Sequence, residues 1–158
     1  MPLNLEEVFD PGEILKARHR ISSLVYRTPL IHSHALSERT GNQIYLKMEC
    51  WQRCGCFKVR GALNATSSLT QEERSRGLVT ASSGNHALAI AYAANLFSIR
   101  PTRIYVPENA DPAKVRRALF WGPDLVYHGQ GFQEAYEESM QYTRENNMTF
   151  IHSHADPK

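Results

Sequence analysis

The chain has 158 residues, 42% of them apolar and 22% charged, and carries a net charge of +2. That length suits one domain or two small lobes with a real core. Basic and acidic residues are interleaved, which leaves no electrostatic footprint for nucleic acid or an anionic membrane surface. No stretch is long and apolar enough to span a bilayer. Residues 1–10 are mixed and acidic, unlike a signal peptide, so a cytoplasmic location is expected.

Asp10-Pro11 reads as an N-cap followed by proline at the first helical position, and Ile14, Ala17 and Ile21 stripe a helix to about Ser22. Arg27-Thr28-Pro29 breaks it, and Pro29-Leu30-Ile31 is extended. Ser37 to Thr40 is a short helical turn ended by Gly41-Asn42, and Ile44 to Met48 is a strand. A helix runs from Lys58 to about Leu69, with Val59, Ala62, Leu63 and Thr66 on one face. Thr70 with Gln71-Glu72-Glu73 starts a capped turn that Gly77 ends.

Leu78-Val79-Thr80-Ala81 is a buried strand, and Ala87 to Ala94 is a nearly all-apolar helix. Thr102 to Val106 is a strand. Asp111-Pro112 repeats the capping device ahead of a helix faced by Val115, Ala118 and Leu119, which Gly122-Pro123 stops. Leu125 to Tyr127 is a strand, Phe132, Ala135, Tyr136 and Met140 stripe a helix to about Arg144, and Thr149 to Ile151 is a last strand. This β-α-β-α-β-α-β alternation with short connections predicts an α/β fold: an open, mostly parallel twisted sheet with helices on both faces.

Cys50, Cys54 and Cys56 are an odd set within seven residues, which favours free thiols in a reducing compartment. Their spacing is poor for zinc. His32/His34 and His152/His154 each place two imidazoles on one face of a strand, as a metal chelate would, but no carboxylate or cysteine is tied to either pair by spacing. Solvated or hydrogen-bonded histidines and no metal are the expectation.

Two stretches carry chemistry. Lys58 stands at a helix start, next to the positive end of the helix dipole, where a structural cation gains nothing. The position suits an amine that has to be neutral to attack a carbonyl; the plain alternative is a surface lysine. Ser82-Ser83-Gly84-Asn85-His86 follows a strand and opens a helix, which is where open α/β sheets bind ligands. The helix start attracts a carboxylate or phosphate, and Gly84 admits close backbone approach. N-capping alone accounts for one serine and not for the cluster.

Gly55-x-Phe57-Lys58-x-Arg60-Gly61-Ala62, followed some twenty residues later by Ser82-Ser83-Gly84-Asn85-His86, resembles the fold type II pyridoxal-phosphate enzymes, and within them the serine/threonine dehydratases and serine racemase. Arg27-Thr28-Pro29-Leu30, Lys47-Met48-Glu49 and Val106-Pro107 agree with that resemblance. It implies pyridoxal 5'-phosphate as cofactor, Lys58 as the Schiff-base lysine, Phe57 beside the pyridine ring and Asn85 on the ring hydroxyl. It also implies that Ser82, Ser83, Asn85 and His86 hold the substrate carboxylate, with Ser83 as the second acid/base opposite Lys58. The reaction implied is dehydration and deamination of L-serine or L-threonine to a 2-oxo acid and ammonia, or racemisation of serine.

Two departures stand out. Cys54 and Cys56 replace the family's usual threonine and serine, and a thiol is larger and a weaker donor than a hydroxyl. The family's glycine-rich phosphate cradle lies downstream of the last strand, whereas this sequence stops at Asp156-Pro157-Lys158. The chain is therefore expected to correspond to the first half of such an enzyme: part of the large domain (residues 1–70) plus the small domain (residues 77–151). Activity of the chain alone is expected to be weak or missing. It would be an inactive fragment, an interaction or regulatory half-protein with exposed apolar surface, a homo-oligomer, or the partner of a complementing C-terminal half. A dinucleotide-binding domain is the competing enzyme class, through Gly129-x-Gly131 before a helix, but Glu134 stands at its third glycine position.

Overall fold

The computed structural model describes residues 10–154; residues 1–9 and 155–158 lie outside them. In chain order the elements are α1 (Pro11–Ile21), β1 (Leu30–His32), α2 (His34–Thr40), β2 (Tyr45–Lys47), a 3-10 turn (Glu49–Trp51), α3 (Lys58–Ser67), α4 (Gln71–Ser75) and β3 (Leu78–Ala81). They continue with α5 (Asn85–Leu96), β4 (Thr102–Val106), α6 (Pro112–Leu119), β5 (Asp124–Tyr127), α7 (Phe132–Glu145) and β6 (Thr149–Phe150).

The capping signals act as their chemistry requires. Asp10 and Asp111 accept from the N–H of Gly12 and Ala113, each with proline at the first helical position. Thr70 and Glu73 form a reciprocal capping box at α4. Gly77, at φ +77°, carries the chain from α4 into β3. A Cβ there would collide with the Pro101 carbonyl oxygen, so this turn demands glycine for space as well as for conformation.

The main sheet is parallel, in the order β5-β4-β3-β6. Its residues alternate between two covered faces. Leu78, Ile104 and Val106 pack under α3, α5 and α6, while Val79, Ala81 and Tyr105 meet Ala135 of α7 on the other side. Both faces being covered explains why β3 is apolar without a break apart from Thr80. β1 and β2 stand apart as an antiparallel ribbon in which Leu30 opposes Lys47 and His32 opposes Tyr45.

The apolar stripe of the first helix marks the helix correctly but is only partly covered. Of Ile14, Ala17 and Ile21 only Ile21 is buried, and Ile14 is 53% exposed. Among the described residues α1 packs chiefly against α3, which leaves Ile14 and Leu15 largely open. Leu30, Ile31, Tyr45 and Leu46 of the ribbon are exposed as well, so uncovered apolar surface concentrates in the first third of the chain.

Candidate active site

Lys58 is the first residue of α3, and burial of Val59, Ala62, Leu63 and Thr66 fixes the rotation of that helix. The preceding loop turns at Gly55 (φ +67°), with Cys54 and Cys56 buried beneath it and Cys50 exposed, all three as free thiols. Burial pushes the Cys54 thiol up to about 11, so it stays protonated and inert near neutral pH. The Arg117 guanidinium holds the loop by donating to the Cys54 carbonyl (3.0 Å). Lys58 Nζ lies 5.6 Å from the centre of the exposed Phe57 ring and donates to the Ser153 carbonyl oxygen at 2.9 Å.

Arg60, two residues further on, anchors the same helix start. Its Nη2 and Nε grip the Glu49 carboxylate in a fork (2.8 and 2.8 Å), and Nη2 also donates to the Tyr26 carbonyl (3.1 Å). Thr28 donates to the same carboxylate, and Lys47 donates to the Thr28 carbonyl. Arg60 thereby holds Glu49 at about 2, well below the usual carboxylate range. The Arg-Thr-Pro and Lys-Met-Glu stretches noted in the sequence are thus parts of the frame under Lys58.

Ser82 to Asn85 form the turn between β3 and α5. Ser82 Oγ accepts the Gly84 N–H (3.2 Å), and Gly84 is the N-cap of α5. A Cβ added at Gly84 would meet no heavy atom within 4 Å, so the backbone there is bare towards open space. His86 is buried, with Nε2 at 3.0 Å from Thr80 Oγ1. Burial lowers it to about 4, so the ring is neutral near pH 7.

The third wall is the segment after β6. Ile151 N donates to the Val79 carbonyl, which sets this segment beside the end of β3. His152 Nδ1 accepts the His154 N–H (3.0 Å), and Ser153 Oγ contacts His154 Nδ1 (2.7 Å). Two adjoining cavities, of about 290 and 310 Å3, share Phe57, Lys58, His86, Ser153 and His154 in their linings. Ser82, Ser83 and Asn85 line the second. All six residues singled out in the sequence therefore line the second cavity.

Ser153 and His154 were read in the sequence as part of a histidine pair and not as a wall of this site. The available signal was topological: they follow a parallel strand at the same sheet end as Ser82. Among the described residues no group of three His, Cys, Asp or Glu could hold a metal ion. His32 is bonded to Ser37 Oγ (3.0 Å). At the glycine pair before α7, Glu134 Oε2 accepts the Gln130 N–H (2.8 Å), so a carboxylate fills the place a pyrophosphate would need.

A parallel sheet with a lysine at one helix start and a polar loop at the next defines a class of cofactor-dependent enzyme, and the comparisons identify it. Residues 21–158 match the family described as pyridoxal-phosphate dependent enzyme, and the chain belongs to that family, whose cofactor is pyridoxal phosphate. An L-threonine ammonia-lyase of Thermotoga maritima is 41% identical over 145 residues, covering 92% of this chain and 36% of the relative. An L-threo-3-hydroxyaspartate ammonia-lyase of Saccharomyces cerevisiae is 38% identical over 146 residues, covering 92% and 44%. The structure of maize serine racemase superposes with a TM-score of 0.85 at 36% identity, covering 91% of this chain and 44% of that one. The fold is that of the type II enzymes of this family, and the chain spans less than half the length of these relatives.

Proposed function

We propose that this chain supplies the lysine-bearing and carboxylate-binding half of a pyridoxal 5'-phosphate-dependent ammonia-lyase acting on L-serine or L-threonine. The observation that carries it is that the Lys58 amine and the start of α5 border one cavity. The donor set fits the group: a primary amine for its aldehyde, the Phe57 ring for its pyridine face and the Asn85 amide for its ring hydroxyl. When bound, the cofactor supplies an electron sink for bond breaking at the substrate α-carbon.

The residues of the chain do the rest. Lys58 Nζ is the amine that would hold the cofactor through its aldehyde, and as a free amine it would accept the substrate α-proton. The Ser153 carbonyl, already its acceptor, holds that nitrogen in place. The hydroxyls of Ser82 and Ser83, the Asn85 amide and the α5 N–H groups, including that of His86, bind and orient the substrate carboxylate. The His86 ring stays neutral and faces Thr80, so it adds no charge to the cavity. The net reaction proposed converts the β-hydroxy amino acid to a 2-oxo acid and ammonia.

Serine racemisation is the second reading, because Ser83 lines the same cavity as Lys58 and can deliver a proton to the other face of the α-carbon. In this reading residues 1–70 belong to the large domain and 77–151 form the small one. The exposed ribbon of Leu30, Ile31, Tyr45 and Leu46 packs against a complementing C-terminal half, or against a second copy in a homo-oligomer.

Borohydride trapping tests the assignment. The chain is mixed with pyridoxal phosphate and reduced, and the labelled peptide is mapped, with Lys58→Ala as control. Saturable labelling at Lys58 that the control lacks is the expected result. Labelling spread evenly over the lysines would remove Lys58 from the role.

A further inference from the structure

The three walls of the cavity come from distant parts of the sequence, and one buried side chain joins two of them. Thr80 is fully buried in the central strand β3, in a stretch that is otherwise apolar. Its Oγ1 donates to the Ile151 carbonyl at 2.8 Å and lies 3.0 Å from His86 Nε2. A carbonyl can only accept, so the single hydroxyl proton of Thr80 is committed to Ile151. His86 Nε2 must then carry a proton, which it directs at Thr80 Oγ1 and at the Ile151 carbonyl, a second hydrogen-bond partner of the ring. This fixes the tautomer of a ring that burial keeps neutral.

The chain of bonds runs onward. Ile151 opens the segment whose Ser153 carbonyl accepts from Lys58 Nζ at 2.9 Å, and the His152 to His154 contacts close that segment into a turn. A buried hydroxyl without partners is costly, so its placement between two partners is a constraint on both. β6 is only two residues long and, among the described residues, pairs with β3; the Ile151 N–H to Val79 bond and the buried Ile151 side chain extend that hold, and Thr80 adds the side-chain link.

We propose that Thr80 is a positioning residue for the reacting amine: through its hydroxyl it locks the Ile151–Ser153 wall against the α5 start and so holds the acceptor of Lys58 Nζ in place. The inference rests on Lys58 being the reacting amine, and its test needs no cofactor, so it fails separately from that reading.

The test is limiting acylation of the 158-residue chain with acetic anhydride, with the rate at each lysine read by mass spectrometry and exposed Lys114 as internal reference. Thr80→Val keeps the side-chain shape and removes the hydroxyl. It is expected to raise Lys58 labelling about fivefold relative to Lys114, the factor one ordinary hydrogen bond carries, and Thr80→Ser is expected to stay within about 1.5-fold of the parent. Unchanged labelling in Thr80→Val, or an equal change in Thr80→Ser, overturns the proposal. A measurement on the unaltered chain tests the premise, and can still overturn the proposal, if the valine variant does not fold. Long-range 1H–15N correlation of the His86 ring is expected to show a proton on Nε2 and a bare Nδ1, and a proton on Nδ1 instead overturns it.

Discussion

Replacing Glu49 by glutamine tests the frame under Lys58. Glu49 lies at about 2 instead of its ordinary 4.5, chiefly through the Arg60 fork, with its side chain 16% exposed. At about 1.4 kcal/mol per factor of ten, that difference corresponds to about 3 kcal/mol favouring the ionised form in the folded state. The folded value is depressed, so the contribution is complete above pH 4.5. It declines as the pH falls from 4.5 towards 2, because only the unfolded chain takes up the proton in that window. Glutamine keeps the size and an acceptor for Thr28 but leaves the Arg60 guanidinium without its counter-charge. Glu49→Gln is therefore expected to lose about 2–3 kcal/mol at pH 7, close to what breaking a partly buried pair costs. Urea unfolding at pH 7 and at pH 3, followed by far-ultraviolet circular dichroism, measures both values. A loss under about 0.5 kcal/mol at pH 7, typical of exposed pairs, would refute the reasoning. So would a loss of equal size at both pH values.

Other expectations follow from single positions. Gly84→Ala should leave unfolding stability within about 0.5 kcal/mol, since the added methyl group meets nothing, yet weaken saturable labelling of Lys58 because the methyl stands at the ligand's approach. Leu63→Ala, which empties a fully buried position on α3, should cost about 2–4 kcal/mol in a urea titration. Gly77→Ala should cost more than about 2 kcal/mol, because strain at φ +77° adds to a collision with Pro101. His86 has its folded value lowered from 6.5 to about 4, so the contribution from keeping it neutral is complete above pH 6.5 and declines between 6.5 and 4. His86→Gln should remove that part of the acid sensitivity, and an unchanged stability slope across the window would count against it.

The parallel sheet and its helices were legible because β3, β4 and β5 are short runs, each followed within a few residues by a helix. The pairs Asp10-Pro11 and Asp111-Pro112 marked helix starts to the residue, since local hydrogen-bond chemistry decides them. Val59, Ala62, Leu63 and Thr66 gave the buried face of α3 for the same reason. The stripe on α1 gave the helix and left its exposure open, because periodicity shows that a face is apolar and not whether anything covers it. Lys58 and Ser82 to His86 could be seen to share a cavity through a family resemblance and the rule for sheet ends. Ser153, His154 and the link through Thr80 could not. They depend on β6 lying beside β3, and strand order is set by long-range packing that no local pattern records.

The bond from Lys58 to Ser153 joins residues 95 positions apart. A ribosome delivers the chain from its N-terminus, so the lysine and its helix emerge well before the segment that tethers the amine exists. Through that interval the nitrogen is an ordinary lysine on an unfinished surface. The tether requires β6 beside β3, so it cannot form before residues 149–153 have emerged. The order of synthesis thus keeps the amine untethered until its scaffold is in place, and a nascent chain stalled before β6 would display Lys58 without the wall that holds it.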